Sequence, residues 1–335
     1  YADAAAGDVT VGAIGAAASQ INDVTITGAT INLGGNILAD DDGGAVGDVD
    51  LNGAVVLTAA VTIDTSAGNG TVDLSSTLNG GQTFAISSGT GAVGIGGNIG
   101  AGTALTSLTI NAAGTGAITL SGNIGAGGAG VTAATAVGNA NTTNLTLGGT
   151  VYNANAQTYT ATGGNNIALT AGAATTFTSS NDAITFATAG ILLGNGSDLA
   201  VNTGAGAGNI AVVTITGNTV EDVTLNAGTG NVAVGLIGAA ATQINDVTIT
   251  GTTITLSGNI NTSNTGTDLG DVDINGNVAL GGAVTIDTDA GDGTVNISGT
   301  VDNGVAFAIS SGTGAVGIGG NIGAGTALTS LTINA

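Results

Sequence analysis

The sequence predicts an all-β fold: a β-solenoid, in which coils of ~23 residues with about three short strands each stack on one another. Three observations lead to this prediction. The chain contains a long tandem repeat, it contains a shorter period that matches one coil, and it is rich in Gly and aliphatic residues while lacking Pro altogether.

The longer repeat places residue 1 on residue 224. Residues 84–112 and 307–335 are identical at every position, and residues 1–112 align without a gap on residues 224–335. The chain therefore holds the first half of a unit (1–112), its remainder (113–223) and the start of the next copy (224–335). Near-identical repetition over such lengths is typical of repeat architectures, and we expect one continuous solenoid.

The shorter period is seen in the central apolar residues of the strand patterns. Ile63, Ile86 and Ile110 follow one another at nearly equal intervals, and each lies in a segment where apolar and polar residues alternate. Such alternation predicts strands with one buried side. The interval from Ile26 to Ile63 is much longer, which predicts an insertion or an extra irregular coil. We also expect the least periodic stretch, about 132–190, to be irregular.

The composition fits stacked coils. A coil of ~23 residues cannot bury its own inner face, but copies stacked at ~4.8 Å form continuous aliphatic ladders. Gly permits tight corners, Asn can form ladders of hydrogen bonds, and Pro would remove ladder bonds. The alternative is a string of Ig-like β-sandwiches. The chain has only three Tyr and four Phe and shows no linker composition, which favours the solenoid.

The charge balance excludes several function classes. The chain has no Lys, Arg, His or Cys, and its formal net charge is −22. This rules out Cys–His metal sites, catalytic triads and lysine nucleophiles, and it effectively excludes binding to nucleic acid or anionic lipid. No apolar run approaches the ~20 residues of a membrane helix, so we predict no direct membrane insertion. No cofactor is predicted.

The coil segments LTINAAGTGAITLSGNIGAG and VTLNAGTGNVAVGLIGAA resemble the repeats of large bacterial surface proteins, namely filamentous-haemagglutinin-like adhesins and related autotransporter passengers. The resemblance implies a right-handed parallel β-helix at the extracellular cell surface. It implies a structural filament or adhesin stalk whose partners are further copies stacked end to end. The alternative function is an adhesin module that binds a surface, a glycan or ice.

An acidic cluster is the candidate Ca²⁺ site. Its members are Asp40, Asp41 and Asp42, followed by Asp48 and Asp50. Hard cations prefer several oxygen ligands on a flexible loop, which this Gly-containing segment could provide. The alternative is a solvated loop, since the three central carboxylates are absent from the aligned segment of the second copy.

Four aromatic residues cluster in the least periodic stretch, namely Tyr152, Tyr159, Phe177 and Phe186. They are the candidate contact surface, for a glycan or a neighbouring filament. The alternative is that they fill a wider coil.

Two other activities have less support in the sequence. Carboxylate pairs could serve a glycosidase or a polysaccharide lyase, but lyases acting on acidic sugars usually recruit Arg or Lys, and near-identical tandem units are unusual for enzymes, so no enzyme is predicted. Thr-x-Thr triplets such as Thr25/Thr27 and Thr248/Thr250 could form a flat ice- or crystal-binding array. The alternative is that Thr is the common outward residue of these strands.

Overall fold

Short strands with one buried side build parallel ladders, as predicted. The structure, a computed structural model, describes residues 1–4, 6–40, 46–111, 116–217, 221–239, 241–263 and 269–335. It confirms an all-β, parallel β-solenoid fold with a coil spacing of 24 residues. Across these ranges no helix is long and apolar enough to span a membrane. The chain divides into two units, Tyr1–Ala168 and Leu169–Ala335.

The strands that begin in the first unit are β1 (Ala2–Asp3), β2 (Val9–Val11), β3 (Val24–Leu33), β4 (Ile37–Leu38), β5 (Val49–Leu57), β6 (Val61–Asp64), β7 (Val72–Leu74), β8 (Leu78–Asn79), β9 (Thr83–Ser87), β10 (Val93–Ile95), β11 (Ser107–Asn111), β12 (Ile118–Leu120), β13 (Thr135–Val137), β14 (Leu145–Leu147), β15 (Val151–Asn153) and β16 (Gln157–Leu169).

The first unit has three faces, each a ladder of parallel strands. Face A stacks β1, the start of β3, the start of β5, β7, β10, β12 and β14. Face B stacks β2, the end of β3, the end of β5 and β8, and continues through single bridges to Tyr152. Face C stacks β4, β6, β9, β11, β13 and the start of β16. Three faces mean three strands per coil, as predicted.

The strands of the second unit are β17 (Thr175–Thr178), β18 (Ile184–Leu193), β19 (Leu199–Asn202), β20 (Ile210–Thr216), β21 (Val223–Asn226), β22 (Val232–Ile237), β23 (Val247–Leu256), β24 (Ile260–Asn261), β25 (Val272–Leu280), β26 (Val284–Asp287), β27 (Val295–Ile297), β28 (Val301–Asp302), β29 (Ala306–Ser310), β30 (Val316–Ile318) and β31 (Ser330–Asn334).

The second unit is built in the same way. Its face A stacks β17, β19, β21, the start of β23, the start of β25, β27 and β30. Its face B runs from β18 through β20, β22, the ends of β23 and β25, and β28. Its face C ends with β24, β26, β29 and β31.

The core of each unit consists of the inward residues of these ladders. In β5, for example, Val49, Leu51, Val55 and Leu57 are buried while the residues between them are not. Most inward aliphatic side chains stack on the paired residue of the next coil, and burying apolar surface stabilises the fold by about 25 cal/mol per Å². The buried interior is therefore built mainly of aliphatic columns.

The expected insertion between Ile26 and Ile63 is wrong. Ile26 lies on face A and pairs with Leu51, whereas Ile63 lies on face C and pairs with Ile37 and Ile86. The two isoleucines belong to different ladders, so the interval between them is one coil plus a step to another face.

The stretch predicted to be irregular, 132–190, also carries strands of the ladders. Within the first unit β13 pairs with β11 and with β16, and β14 pairs with β12. Within the second unit β17 and β18 pair with β19 and β20. The periodic signal is weak there because polar and aromatic residues, such as Thr135 and Gln157, replace aliphatic residues at inward positions.

Candidate functional site

The candidate Ca²⁺ cluster is not assembled by the residues that the structure describes. Asp41 and Asp42 lie outside them. Asp48 uses its Oδ1 atom as a hydrogen-bond acceptor for the backbone N–H of Thr71, at 2.7 Å, in the following coil. Asp50 lies on the outer side of β5. In the described ranges no three acidic side chains form a metal-binding group.

Asp50 experiences the repulsion of its neighbours. It pairs in register with Asp73 of the next coil. Partial desolvation first, and then the negative charges of Asp73, Asp48 and Asp23, raise the pKa of the Asp50 carboxyl above its usual value. Two stacked carboxylates in a chain without basic side chains are electrostatically unfavourable, so the outer side of face A is repulsive at the rungs of Asp50 and Asp73.

A ladder of carboxylates lines the corner that precedes face A of the second unit. The backbone N–H of Asp222 donates to Asp198 Oδ1 at 3.0 Å, and that of Asp246 donates to Asp222 Oδ1 at 3.1 Å. The backbone N–H of Asp271 donates to Asp246 Oδ1 at 2.8 Å, and that of Thr294 to Asp271 Oδ1 at 2.7 Å. Each carboxylate therefore accepts a bond from the coil that follows it.

The first unit repeats this corner ladder. The backbone N–H of Asp48 donates to Asp23 Oδ1 at 3.2 Å, just as Thr71 donates to Asp48. Asp48 was predicted as a calcium ligand, and the ladder was not predicted. The signal was available, because Asp198, Asp222 and Asp246 recur at intervals equal to the coil spacing.

At another corner, one copy of the long repeat has Asn and the other has Asp, and both side chains accept the same backbone hydrogen bond. Asn79 Oδ1 accepts the N–H of Gly102 at 2.8 Å, and its aligned residue Asp302 accepts the N–H of Gly325 at 2.8 Å. The oxygen common to both side chains is what the corner requires. These side chains satisfy backbone donors that turn out of the strand ladders.

The four aromatic residues of the candidate contact surface are all buried, with exposures of 0–1%. Tyr159 donates from its hydroxyl to Gln157 Oε1 at 2.9 Å, and the backbone N–H of Gly149 donates to the Tyr152 hydroxyl at 3.0 Å. Burial raises the pKa of both tyrosines. The contact-surface interpretation is corrected: these four side chains fill the interior, because their ring area is large and the hydroxyls of the two tyrosines have hydrogen-bond partners there.

Edge-to-face contacts are seen between these aromatic rings in both units. In the first unit the rings of Tyr152 and Tyr159 are 6.1 Å apart at 81°. In the second unit the rings of Phe177 and Phe186 are 4.9 Å apart at 85°. This is the preferred geometry for aromatic packing in a core.

The Thr-x-Thr triplets do not continue from coil to coil. Thr25 and Thr27 pair in register with Asp50 and Asn52. In the second unit Thr248 and Thr250 pair with Asp273 and Asn275. The following rungs therefore carry Asp and Asn, although Thr248 pairs with Thr224 on its other side, and the flat threonine array expected for ice binding is interrupted at these positions.

Comparison with known proteins found no matching family model, no matching curated protein and no matching solved structure. The chain is a β-solenoid repeat protein by its fold.

Proposed function

We propose that this chain is a structural shaft, a segment of an extracellular filament or adhesin stalk that holds another part of its protein away from a cell surface. The observation that carries the proposal is the stacking of similar coils through aliphatic columns and corner ladders. Each added coil extends such a structure by ~4.8 Å without requiring a new kind of contact.

The corner ladders support a mechanical function for the chain. A force along the stack is shared by the backbone hydrogen bonds of the three parallel ladders that join each coil to the next. The hydrogen bonds to side-chain acceptors at the corners carry part of the same force. In the second unit the acceptors Asp198, Asp222 and Asp246 continue this connection over consecutive coils.

The composition supports an exposed location. A chain without Lys and Arg offers no cleavage site to trypsin-like proteases, and one without Cys and Met has few oxidisable side chains. A net charge of −22 favours solubility and discourages lateral association in the absence of cations.

A surface-display experiment tests the proposal. The chain is placed between a bacterial outer-surface anchor and a carbohydrate-binding tip of known specificity, and the binding of cells to the tip's glycan on a coated surface is measured. We expect the chain to raise adhesion by lifting the tip, and a flexible Gly/Ser linker of equal length to raise it less. The chain without the tip should bind neither a glycan array nor the coated surface.

Selective binding by the chain without the tip, at a level equal to the tip's own, would contradict the shaft and favour the alternative of a binding module. Equal adhesion with the flexible linker would show that a stiff spacer is not what the chain provides.

A further inference from the structure

Polar residues form a buried column at one corner of the second unit. Leu199, Val223 and Val247 are paired in register on face A. Ser197, Glu221 and Asn245 each lie two residues earlier and therefore follow one another at intervals of one coil. Their exposures are 0%, 0% and 5%, so the corner encloses a carboxylate and an amide next to the aliphatic core.

Glu221 is the only glutamate in the chain. The backbone N–H of Gly196 donates to its Oε1 atom at 3.2 Å. A buried carboxylate is costly unless hydrogen bonds and a positive charge compensate it. The chain contains no Lys, Arg or His, so no basic side chain can supply that charge.

Asn245 presents an oxygen without a hydrogen-bond partner. Its Nδ2 atom donates to Asp222 Oδ1 at 2.9 Å, and its backbone N–H donates to the carbonyl oxygen of Glu221 at 2.9 Å. The bond to Asp222 fixes the amide orientation, because the reverse orientation would set two oxygens against each other. Asn245 Oδ1 is buried and has no donor. Leaving such a buried acceptor unsatisfied is energetically costly.

We propose that this corner binds a hard cation of the Ca²⁺ class, with Glu221 and Asn245 as its buried ligands and Asp222 as the neighbouring carboxylate. Carboxylate and amide oxygens are the ligands that Ca²⁺ prefers, and water can complete its coordination. The ion supplies the positive charge that the sequence lacks and gives Asn245 Oδ1 a partner. Its two carboxylates make this a weak site, in the range of about 0.1–1 mM known for extracellular modules.

The chain provides two matched controls. Asn22 aligns with Asn245, but its side chain is half-buried. Asp302 lies at a corner where the first copy has Asn79, so Asp302→Asn removes one negative charge from a position that accommodates Asn. Asn22→Ala tests the loss of an amide elsewhere, and Asp302→Asn tests the loss of a charge elsewhere.

The experiment titrates the metal-free full chain with CaCl₂ by isothermal calorimetry and follows thermal unfolding by circular dichroism with and without the ion. We expect one saturable site with a Kd of about 1 mM or tighter. Glu221→Gln and Asn245→Ala should each weaken binding tenfold or more and abolish the Ca²⁺-dependent rise in Tm. Asn22→Ala and Asp302→Asn should bind as the unaltered chain does.

Two results would overturn the proposal. One is the absence of saturable binding up to 10-fold above that Kd. The other is equal binding by all four variants, which would mean that Ca²⁺ only screens the acidic surface. Should Glu221→Gln fail to fold, Asn245→Ala decides, since it retains the carboxylate and the net charge.

Discussion

Residues 84–111 and 307–334 have the same sequence, yet their inner residues are buried to different extents. In the first unit Leu108 and Ile110 are both 0% exposed. In the second unit the aligned Leu331 and Ile333 are 45% and 42% exposed. The difference is the following coil: β11 pairs with β9 and β13, whereas β31 pairs with β29 on one side. A coil of this fold therefore does not bury its own core; its neighbour does.

The largest difference between the copies is expected at a corner glycine. Gly100 has a φ of +66°, and a Cβ added there would lie 1.9 Å from the carbonyl oxygen of Gly130 in the next coil. Gly323 has nearly the same φ, +65°, but its Cβ would meet no atom nearer than Leu328 N at 3.2 Å. Gly100→Ala should cost roughly 3–5 kcal/mol, from strain and the clash together, and Gly323→Ala about 1–2 kcal/mol.

Urea unfolding followed by circular dichroism measures both alanine variants. Equal losses at Gly100 and Gly323 would mean that backbone strain alone decides, and that the next coil does not press on this corner.

The second difference concerns the aliphatic columns. Ile110→Ala removes contacts with Ile86 and Val137, its partners in the coils on either side. We expect a loss of about 2–5 kcal/mol in the free energy of unfolding, and less than half of that for Ile333→Ala, which is already partly solvated. Chemical denaturation of the two variants checks this, and a larger loss at Ile333 would contradict the account.

The third difference concerns the corner ladders. Asn98 Oδ1 accepts the backbone N–H of Asn123 at 2.9 Å. The aligned Asn321 is exposed, so Asn98→Ala should cost about 1 kcal/mol and Asn321→Ala close to nothing. Hydrogen exchange at the amide of Asn123, measured by NMR, should accelerate in Asn98→Ala. An unchanged exchange rate would show that this side chain does not hold the next coil.

The smallest difference is electrostatic and depends on pH. Asp50 faces Asp73, whereas the aligned Asp273 faces Asn296. Because desolvation and the neighbouring carboxylates raise the pKa of Asp50 in the folded state, this residue favours folding when protonated. Its contribution is present below its ordinary pKa of about 3.9 and is lost as the pH rises through the raised value.

Exchanging the two neighbours tests this effect. Asp73→Asn should stabilise the chain by a few tenths of a kcal/mol at pH 7 and have almost no effect near pH 3. Asn296→Asp should do the opposite. Thermal unfolding at both pH values measures the changes, and a pH-independent effect of Asp73→Asn would point to packing instead of charge.

Much of the fold could be predicted from the sequence because the period of the inward residues is the period of the coil. Counting from Ile63 to Ile86 to Ile110 follows one face correctly. The interval from Ile26 to Ile63 led to the wrong prediction of an insertion, because all three faces share one apolar–polar pattern. A pattern on its own does not say which face a strand belongs to.

The site residues were harder to predict. Aromatic rings suggest a binding surface when counted along the chain, but Tyr152 and Tyr159 find hydroxyl partners inside the coil. Burial of Asn245 and Glu221 depends on which residues of neighbouring coils share a corner, and only the register supplies that. The Asp ladder, by contrast, repeats at the coil period and could have been predicted from the sequence.

The central claim is that added sequence becomes added length by coil stacking. Since Ala335 aligns with Ala112, residues 113–335 can be joined directly after Ala335 to add one full unit of the long repeat in phase. Small-angle X-ray scattering of the two chains should show a maximum dimension larger by about 45 Å with an unchanged cross-section. A thicker particle, or an increase of more than about twice that length, would contradict the account.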